Sequence, residues 1–397
     1  FMGKKLALTA QGNSYSVSYT MQDNDTEGEI AFTAIAKDLA GNRTVFTATS
    51  DNSSVKFDRS SPLISSVSLQ SNNRHPQYAN SGDNLSLFFT ANEAIRASTV
   101  TFSGSMQAEV DDNGTSRFHA AYYLNDNDTE GVIPFTVNAE DLAGNITIFT
   151  ATSDNSSVIF DRTVPVLNQV SISSSNTLSS ARAKSGDNIS LEFTSSEALS
   201  YGSLCDACDA PQAHLYGDNQ SIALSANALS ADKSLWRASR AFSSSMKTSQ
   251  AGDLVTYSIS FKDYAGNQGV LVNSVTDSTS VTYDDQPPQE TGVSLTSNNS
   301  NSSSLAKTGD NLSLNFSINE TLSSTPAVSV SGTTLVPSSG NNFSSIYTLK
   351  DNDTEGTVAL SITAVDLSGN EKKITATTDN ISVVFDRTVP TLSTVNF

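Results

Sequence analysis

Apolar side chains return at every second residue along much of this chain. Ile30, Phe32, Ala34 and Ala36 alternate with mostly polar partners up to Asp38, and Ile133, Phe135, Val137 and Ala139 do so up to Asp141. Val255, Tyr257, Ile259 and Phe261 lead likewise into Asp263, and Val358, Leu360, Ile362 and Ala364 into Asp366. A second set runs through Leu85, Leu87 and Phe89, then Ile189, Leu191 and Phe193, then Leu312, Leu314 and Phe316. A period of two puts successive side chains on opposite faces, so each segment is a half-buried strand. No segment carries a convincing helical stripe. Several such strands per hundred residues, with turn residues between them, predict an all-β chain of antiparallel sandwiches.

The strands belong to a repeat. Asp-Leu-Ala-Gly-Asn stands at Asp38 and again at Asp141, and it recurs as Asp-Tyr-Ala-Gly-Asn at Asp263 and Asp-Leu-Ser-Gly-Asn at Asp366. The steps are 103, 122 and 103 residues. Asp-Asn-Asp-Thr-Glu-Gly begins at Asp23, Asp126 and Asp351, each time 15 residues earlier. Phe-Asp-Arg occurs at Phe57, Phe160 and Phe385, with Tyr283-Asp284-Asp285 in the third repeat, and Ser/Thr-Gly-Asp-Asn begins at Ser81, Ser185 and Thr308. Boxes in fixed order at this period mean an array of domains. Prolines just after Phe-Asp-Arg mark the joints. We expect a partial domain at 1–58, complete domains at 59–161, 162–284 and 285–386, and the first strand of a further or exchanged domain at 387–397. The partial domain lacks the Gly-Asp-Asn strand and would expose its inner face.

Composition narrows the function. Asp and Glu number 41 against 22 Lys and Arg, a formal net charge of −19. Such a surface repels phosphate backbones and anionic lipid, so neither nucleic acid nor membrane insertion within this segment is expected as a partner. It attracts cations. No run of eighteen apolar residues or signal peptide is present, so any export or anchoring signal lies outside the segment.

At these boxes the chain resembles the bacterial immunoglobulin-like (Big-type) repeats of large surface and secreted proteins. The residues that carry the resemblance are Asp-Leu-Ala-Gly-Asn, Phe-Asp-Arg followed by Pro, and Gly-Asp-Asn. It covers the whole chain and is weakest in the third repeat, which has about twenty extra residues and no Asp-Asn-Asp-Thr-Glu-Gly box. The resemblance implies a tandem array of immunoglobulin-like sandwiches used in adhesion or spacing.

In such a sandwich the chain shuttles between two ends. The Glu motif after the second strand (Glu93, Glu197, Glu320) and the Asp of Asp-x-x-Gly-Asn fall at the incoming end. Asp-Asn-Asp-Thr-Glu-Gly and Phe-Asp-Arg fall at the outgoing end, which faces the next domain. Asp23, Asp25, Glu27 and Asp58 are therefore expected to meet Glu93 and Asp141. Asp126, Asp128, Glu130 and Asp161 are expected to meet Glu197 and Asp263. Six carboxylates in one place need a cation, and Ca2+ accepts six to eight oxygens in loose geometry. The competing reading is that these are turn residues capping their own backbone. An EF-hand is ruled out, because its twelfth-position Glu is replaced by Ala34, Val137 and Ile362. The last joint offers only Asp253, Asp284 and Asp285 opposite Glu320 and Asp366, which predicts weaker metal binding and a hinge there.

The extra segment of the third repeat holds Cys205 and Cys208, read as a local disulfide because too few zinc ligands stand nearby. It also holds Tyr201, Tyr216 and the single tryptophan, Trp236, read as core packing before a recognition surface. The histidines, His75, His119 and His214, fall in no nucleophile motif, and we expect no catalysis. The leading function is an extracellular adhesin stalk or spacer. Its partners would be neighbouring repeats or copies of itself, with a host-cell, matrix or surface ligand bound by domains outside the segment. The alternatives are an accessory array of a secreted enzyme and a filament protomer completed by strand exchange.

Overall fold

A computed structural model describes residues 1–104, 106–107, 109–112, 116–201, 210–217, 220–242, 252–340 and 342–395. Every regular element among them is a β-strand. Cys205 and Cys208 lie outside the described residues. The chain divides into two compact units, Phe1–Thr163 with Ala265–Asn267, and Val164–Tyr264 with Gln268–Phe397.

In the first unit the second repeat forms a complete sandwich. One sheet runs Glu109–Asp112, Arg117–Tyr123, Asn84–Ala91, Ile64–Ser71; the other runs Met106–Gln107, Ile95–Phe102, Phe135–Asp141, Ile146–Phe149. The alternation read from the sequence faces inward as expected: Leu85, Leu87 and Phe89 from one sheet meet Phe135 and Val137 from the other. Phe89 stacks on Phe118 at 5.0 Å and meets Phe149 edge-on at 5.4 Å, geometries that aromatic quadrupoles favour. A short ribbon closes the outgoing end, where Ile159–Phe160 pairs antiparallel with Gly131–Val132 and parallel with Tyr78–Ala79.

The first repeat has only the later strands of this plan. Ala34–Lys37 pairs with Arg43–Phe46, and Gly28–Glu29 with Lys56–Phe57. Phe46 and Val55 stay exposed, whereas Phe149 and Val158, 103 residues on, pack in or against the core of the second repeat.

The second unit holds two further cores, one built from Leu167 to Tyr283 and one from Val293 to Phe385. The fourth repeat follows the plan, with Glu290–Ser297, Asn311–Ile318 and Asn342–Thr348 opposite Ala327–Val330, Leu360–Val365 and Glu371–Ile374. The third repeat spends its extra residues on one long strand, Gln220–Ala228. It pairs with Gln212–Gly217 at one end and with Leu235–Ala241 at the other, so two sheets become one six-stranded sheet. Trp236, paired across from Ala228 on the neighbouring strand, is fully buried, with its indole N–H donated to the Lys233 carbonyl and Tyr201 against its edge. The tryptophan is a core residue.

Candidate functional site

The Asp-x-x-Gly-Asn turn builds its own anchor. In Asp366–Asn370, Oδ1 of Asp366 accepts from the Ser368 and Asn370 amides at 2.8 Å each, and Oδ2 accepts from the Asn370 side-chain amide at 2.8 Å. Gly369 at φ +84° closes the turn in a region that side chains with a Cβ rarely adopt. Asp141 is held the same way by Ala143 and Asn145, at 2.8 to 2.9 Å.

The same asparagine then grips the preceding domain. The Asn145 amide also donates to the carbonyl of Asp58, and that of Asn370 to the carbonyl of Asp284. The residue before the Glu motif fixes the chain on the other side. Asn92 exchanges two hydrogen bonds with the Leu63 backbone, and Asn319 does so with Gln289. Proline joints, box asparagines and these exchanges together hold three carboxylates against one another.

Two such trios lie within single units: Asp58, Glu93 and Asp141 in the first, and Asp284, Glu320 and Asp366 in the second. In each, one oxygen per residue lies within 4.8 Å of the other two. Their mutual repulsion is visible in the ionisation of the glutamates. Burial pushes the Glu320 carboxyl up, and Asp366 and Asp284 add to it. Glu93 is raised by burial and then by Asp58 and Asp141. Asp284 is raised by burial despite the opposing Gln286 amide. Burial also pushes Asp141 up, but the donors from Asn145, Ala143 and Gly144 outweigh it and leave the group low. Lys56 reaches Asp58 Oδ2 at 2.8 Å, so the first trio carries a neighbouring ammonium.

The residues expected to share a joint therefore separate. Of Asp23, Asp25, Glu27, Asp58, Glu93 and Asp141, the last three come together. Asp25 and Asp128 are buried and spend their oxygens on local donors: Tyr19 and the Gln22 amide for one, Tyr122 and the Asn125 amide for the other. Glu27 and Glu130 cap the chain after Phe-Asp-Arg, accepting from the Arg59 amide at 3.0 Å and the Arg162 amide at 2.6 Å. Asp23 and Asp126 stand at the surface of the turn, Asp23 exposed and Asp126 exposed likewise. Among the described residues, no carboxylate of the Asp-Asn-Asp-Thr-Glu-Gly box joins a trio. Asp161 belongs to the first unit, where its Oδ1 accepts from the Thr163 amide; Glu197 and Asp263 belong to the second, half-buried and buried.

This separation changes the expectation for the last joint. The third repeat lacks the acidic box, yet Asp284, Glu320 and Asp366 form a full trio, because the box contributes no member. The tyrosine six residues ahead of each buried box aspartate was the overlooked sequence signal: Tyr19, Tyr122 and Tyr347 recur in register with Asp25, Asp128 and Asp353.

Without bound metal, the raised groups make the fold more stable as pH falls. The folded chain takes up protons on Glu320, Glu93 and Asp284 at higher pH than the unfolded chain does, so repulsion present at neutrality is relieved. In chelator the melting temperature should rise as pH falls toward the ordinary carboxylate range, about 4, then fall as hydrogen-bonded aspartates such as Asp141 protonate. Glu320→Gln should remove part of the rise; a flat or steadily falling curve for the native chain would contradict the trio's electrostatics.

Fold and site together define a tandem array of immunoglobulin-like β-sandwiches with acidic trios at the joints. No protein-family model and no curated protein matches the chain. Similar solved structures include a fragment of a 1.5-MDa bacterial ice-binding adhesin studied for host cell surface retention, with 13% identity, covering 83% of this chain and 99% of that one, TM-score 0.42. A Ca2+-stabilized adhesin with which an Antarctic bacterium binds ice is 15% identical, covering 90% and 81%, TM-score 0.41. A tetra-tandem repeat from the extending region of a large adhesion protein is 15% identical, covering 94% and 86%, TM-score 0.24.

Proposed function

We infer that this chain is a non-catalytic extender segment of an extracellular bacterial adhesin, whose joints are stiffened by calcium. The observation that carries the reading is the recurring trio. The same three box positions place carboxylates within 4.8 Å at two joints, with the glutamate pushed up by burial and then by its neighbours. Side-chain carboxylates and nearby backbone carbonyls, such as those of Asp58 and Asp284, are the hard oxygen donors that Ca2+ prefers. Asp161, Glu197 and Asp263 hold the same box positions in the sequence, and the proposal extends to them on that register alone. A cation in each trio would turn repulsion between successive domains into attraction. An array of such joints would carry a binding domain away from a cell surface.

Calcium should therefore raise the melting temperature. Ligand that binds only the folded chain adds RT ln(1 + [L]/Kd), about 3 kcal/mol at a hundredfold excess over Kd. Calorimetric melts in millimolar calcium and in excess chelator measure it. Superimposable melts would reduce the trios to turn residues.

A further inference from the structure

The aspartate of each Gly-Asp-Asn box organises the loop between the first two long strands of its repeat. Asp187 Oδ2 accepts from the Asn176 side-chain amide at 2.7 Å and from the Lys184 backbone amide at 2.8 Å. Asp83 does the same with Asn73 and Asn80, at 2.8 and 2.9 Å. Asp310 does so with Asn299 and Lys307, at 2.7 and 2.8 Å. One carboxylate oxygen therefore fixes two positions of the loop, and the same two in each complete repeat.

Within the second unit, these two positions of the third repeat hold the Asp-x-x-Gly-Asn turn of the fourth. Asn176, 8% exposed, also donates its amide to the Ser368 carbonyl at 2.9 Å, while its Oδ1 accepts from the Leu178 amide at 3.0 Å. Lys184 Nζ donates to the Gly369 carbonyl at 2.5 Å. The fit is close: a Cβ on Gly369 would stand 3.2 Å from that ammonium and 3.4 Å from Leu178 Cδ1. Asn370 then donates to the Asp284 carbonyl at 2.9 Å. Three consecutive residues of the turn are thus each bonded to the third repeat, and Asp366 keeps the turn itself rigid. Ser368 is fully buried, so no water replaces a donor lost from its carbonyl.

The first unit, which includes Ala265–Asn267, repeats the arrangement with different residues. Asn73 donates to the Ala265 carbonyl at 2.8 Å, and Asn267 donates to the Asp161 carbonyl at 2.9 Å. Asn80, in the place of Lys184, has its Nδ2 3.6 Å from where a Cβ on Gly266 would stand. Two joints with unlike side chains reach one geometry.

We propose that the Gly-Asp-Asn loop is a socket for the Asp-x-x-Gly-Asn turn of the following repeat, and that this socket sets the angle between the third and fourth repeats with no metal bound. Contacts on both sides of the turn remove the pivot that the proline linker would otherwise allow. The hinge expected at this joint from its missing acidic box is closed by residues outside that box. Calcium in the trio would strengthen a joint that is already oriented, and the socket holds whether or not the trio binds it.

Pulsed electron–electron distance measurements on the whole chain test it, with nitroxide labels at S239C and I346C in a C205S/C208S background. Ser239 and Ile346 are exposed strand positions of the third and fourth repeats. In chelator the otherwise native chain should give a single narrow maximum, and calcium should leave its position unchanged. N176A/K184M removes both donors, and its single maximum should be lost in chelator. Lys184→Met alone, which leaves the Asn176 loop intact, should broaden the distribution. N299A/K307M, the same pair of changes one repeat on, should keep the native maximum. Variants as narrow as the native chain, or N299A/K307M broadened as much as N176A/K184M, would overturn the proposal. A native maximum that appears only in calcium would also overturn it, assigning the angle to the metal and leaving the calcium reading intact.

Discussion

Trp236→Ala should lower the stability of the third repeat by about 3–5 kcal/mol, the cost of deleting a buried large aromatic and leaving a cavity. The side chain is fully buried on the strand next to the crossing strand, within a core that includes Phe193, Leu199, Leu215 and Ile259. Its indole N–H is satisfied by Lys233, so the native state bears no polar penalty that the substitution could relieve. Calorimetry should show the transition of this repeat moving down while that of the fourth repeat, which has its own core, stays in place. Trp236→Phe should cost less, because most of the ring volume and the contact with Tyr201 survive. A loss below about 1 kcal/mol for the alanine variant would mean that the site is not a packed core.

Asp366→Ala should destabilise the fourth repeat by about 3 kcal/mol, and more in calcium than in chelator. The carboxylate is fully buried and receives three donors, so its removal leaves the Ser368 and Asn370 amides without their side-chain acceptor. An unsatisfied buried polar group costs about 1–3 kcal/mol, and bonds to a charged acceptor lie at the upper end. In chelator part of this is offset, since Glu320 and Asp284 lose a repelling neighbour. In calcium the lost ligand adds to the lost anchor. Denaturant melts of this variant in both buffers measure the difference. Equal losses in the two buffers would confine Asp366 to the turn.

Strand alternation and repeat register were legible in the sequence because burial on one face of a strand imposes a period of two. Leu85, Leu87 and Phe89 could point only one way. The joint was legible to the extent that topology fixes which loops share an end of a sandwich, and this brought Asp58, Glu93 and Asp141 together. It could not say what each carboxylate binds. Asp25 and Asp128 look like metal ligands in the box, but a tyrosine hydroxyl and a backbone amide take their oxygens. Glu27 and Glu130 cap a backbone break that only the fold creates. The box asparagines were hidden for the opposite reason: Asn145 and Asn370 read as ordinary turn residues, and their grip on Asp58 and Asp284 depends on where the preceding domain ends. The crossing strand Gln220–Ala228 was seen only as extra length, because its pairing depends on both sheets at once.

Calcium titration calorimetry on the native chain and on the E93Q/E320Q variant tests the central claim most directly. Each substitution keeps the shape of the side chain and removes one charged oxygen donor from one trio. The account predicts saturable binding to the native chain and a stoichiometry lower by two in the variant, with the sandwich cores still melting cooperatively. An unchanged number of bound ions in the variant, or no binding by the native chain, would contradict it.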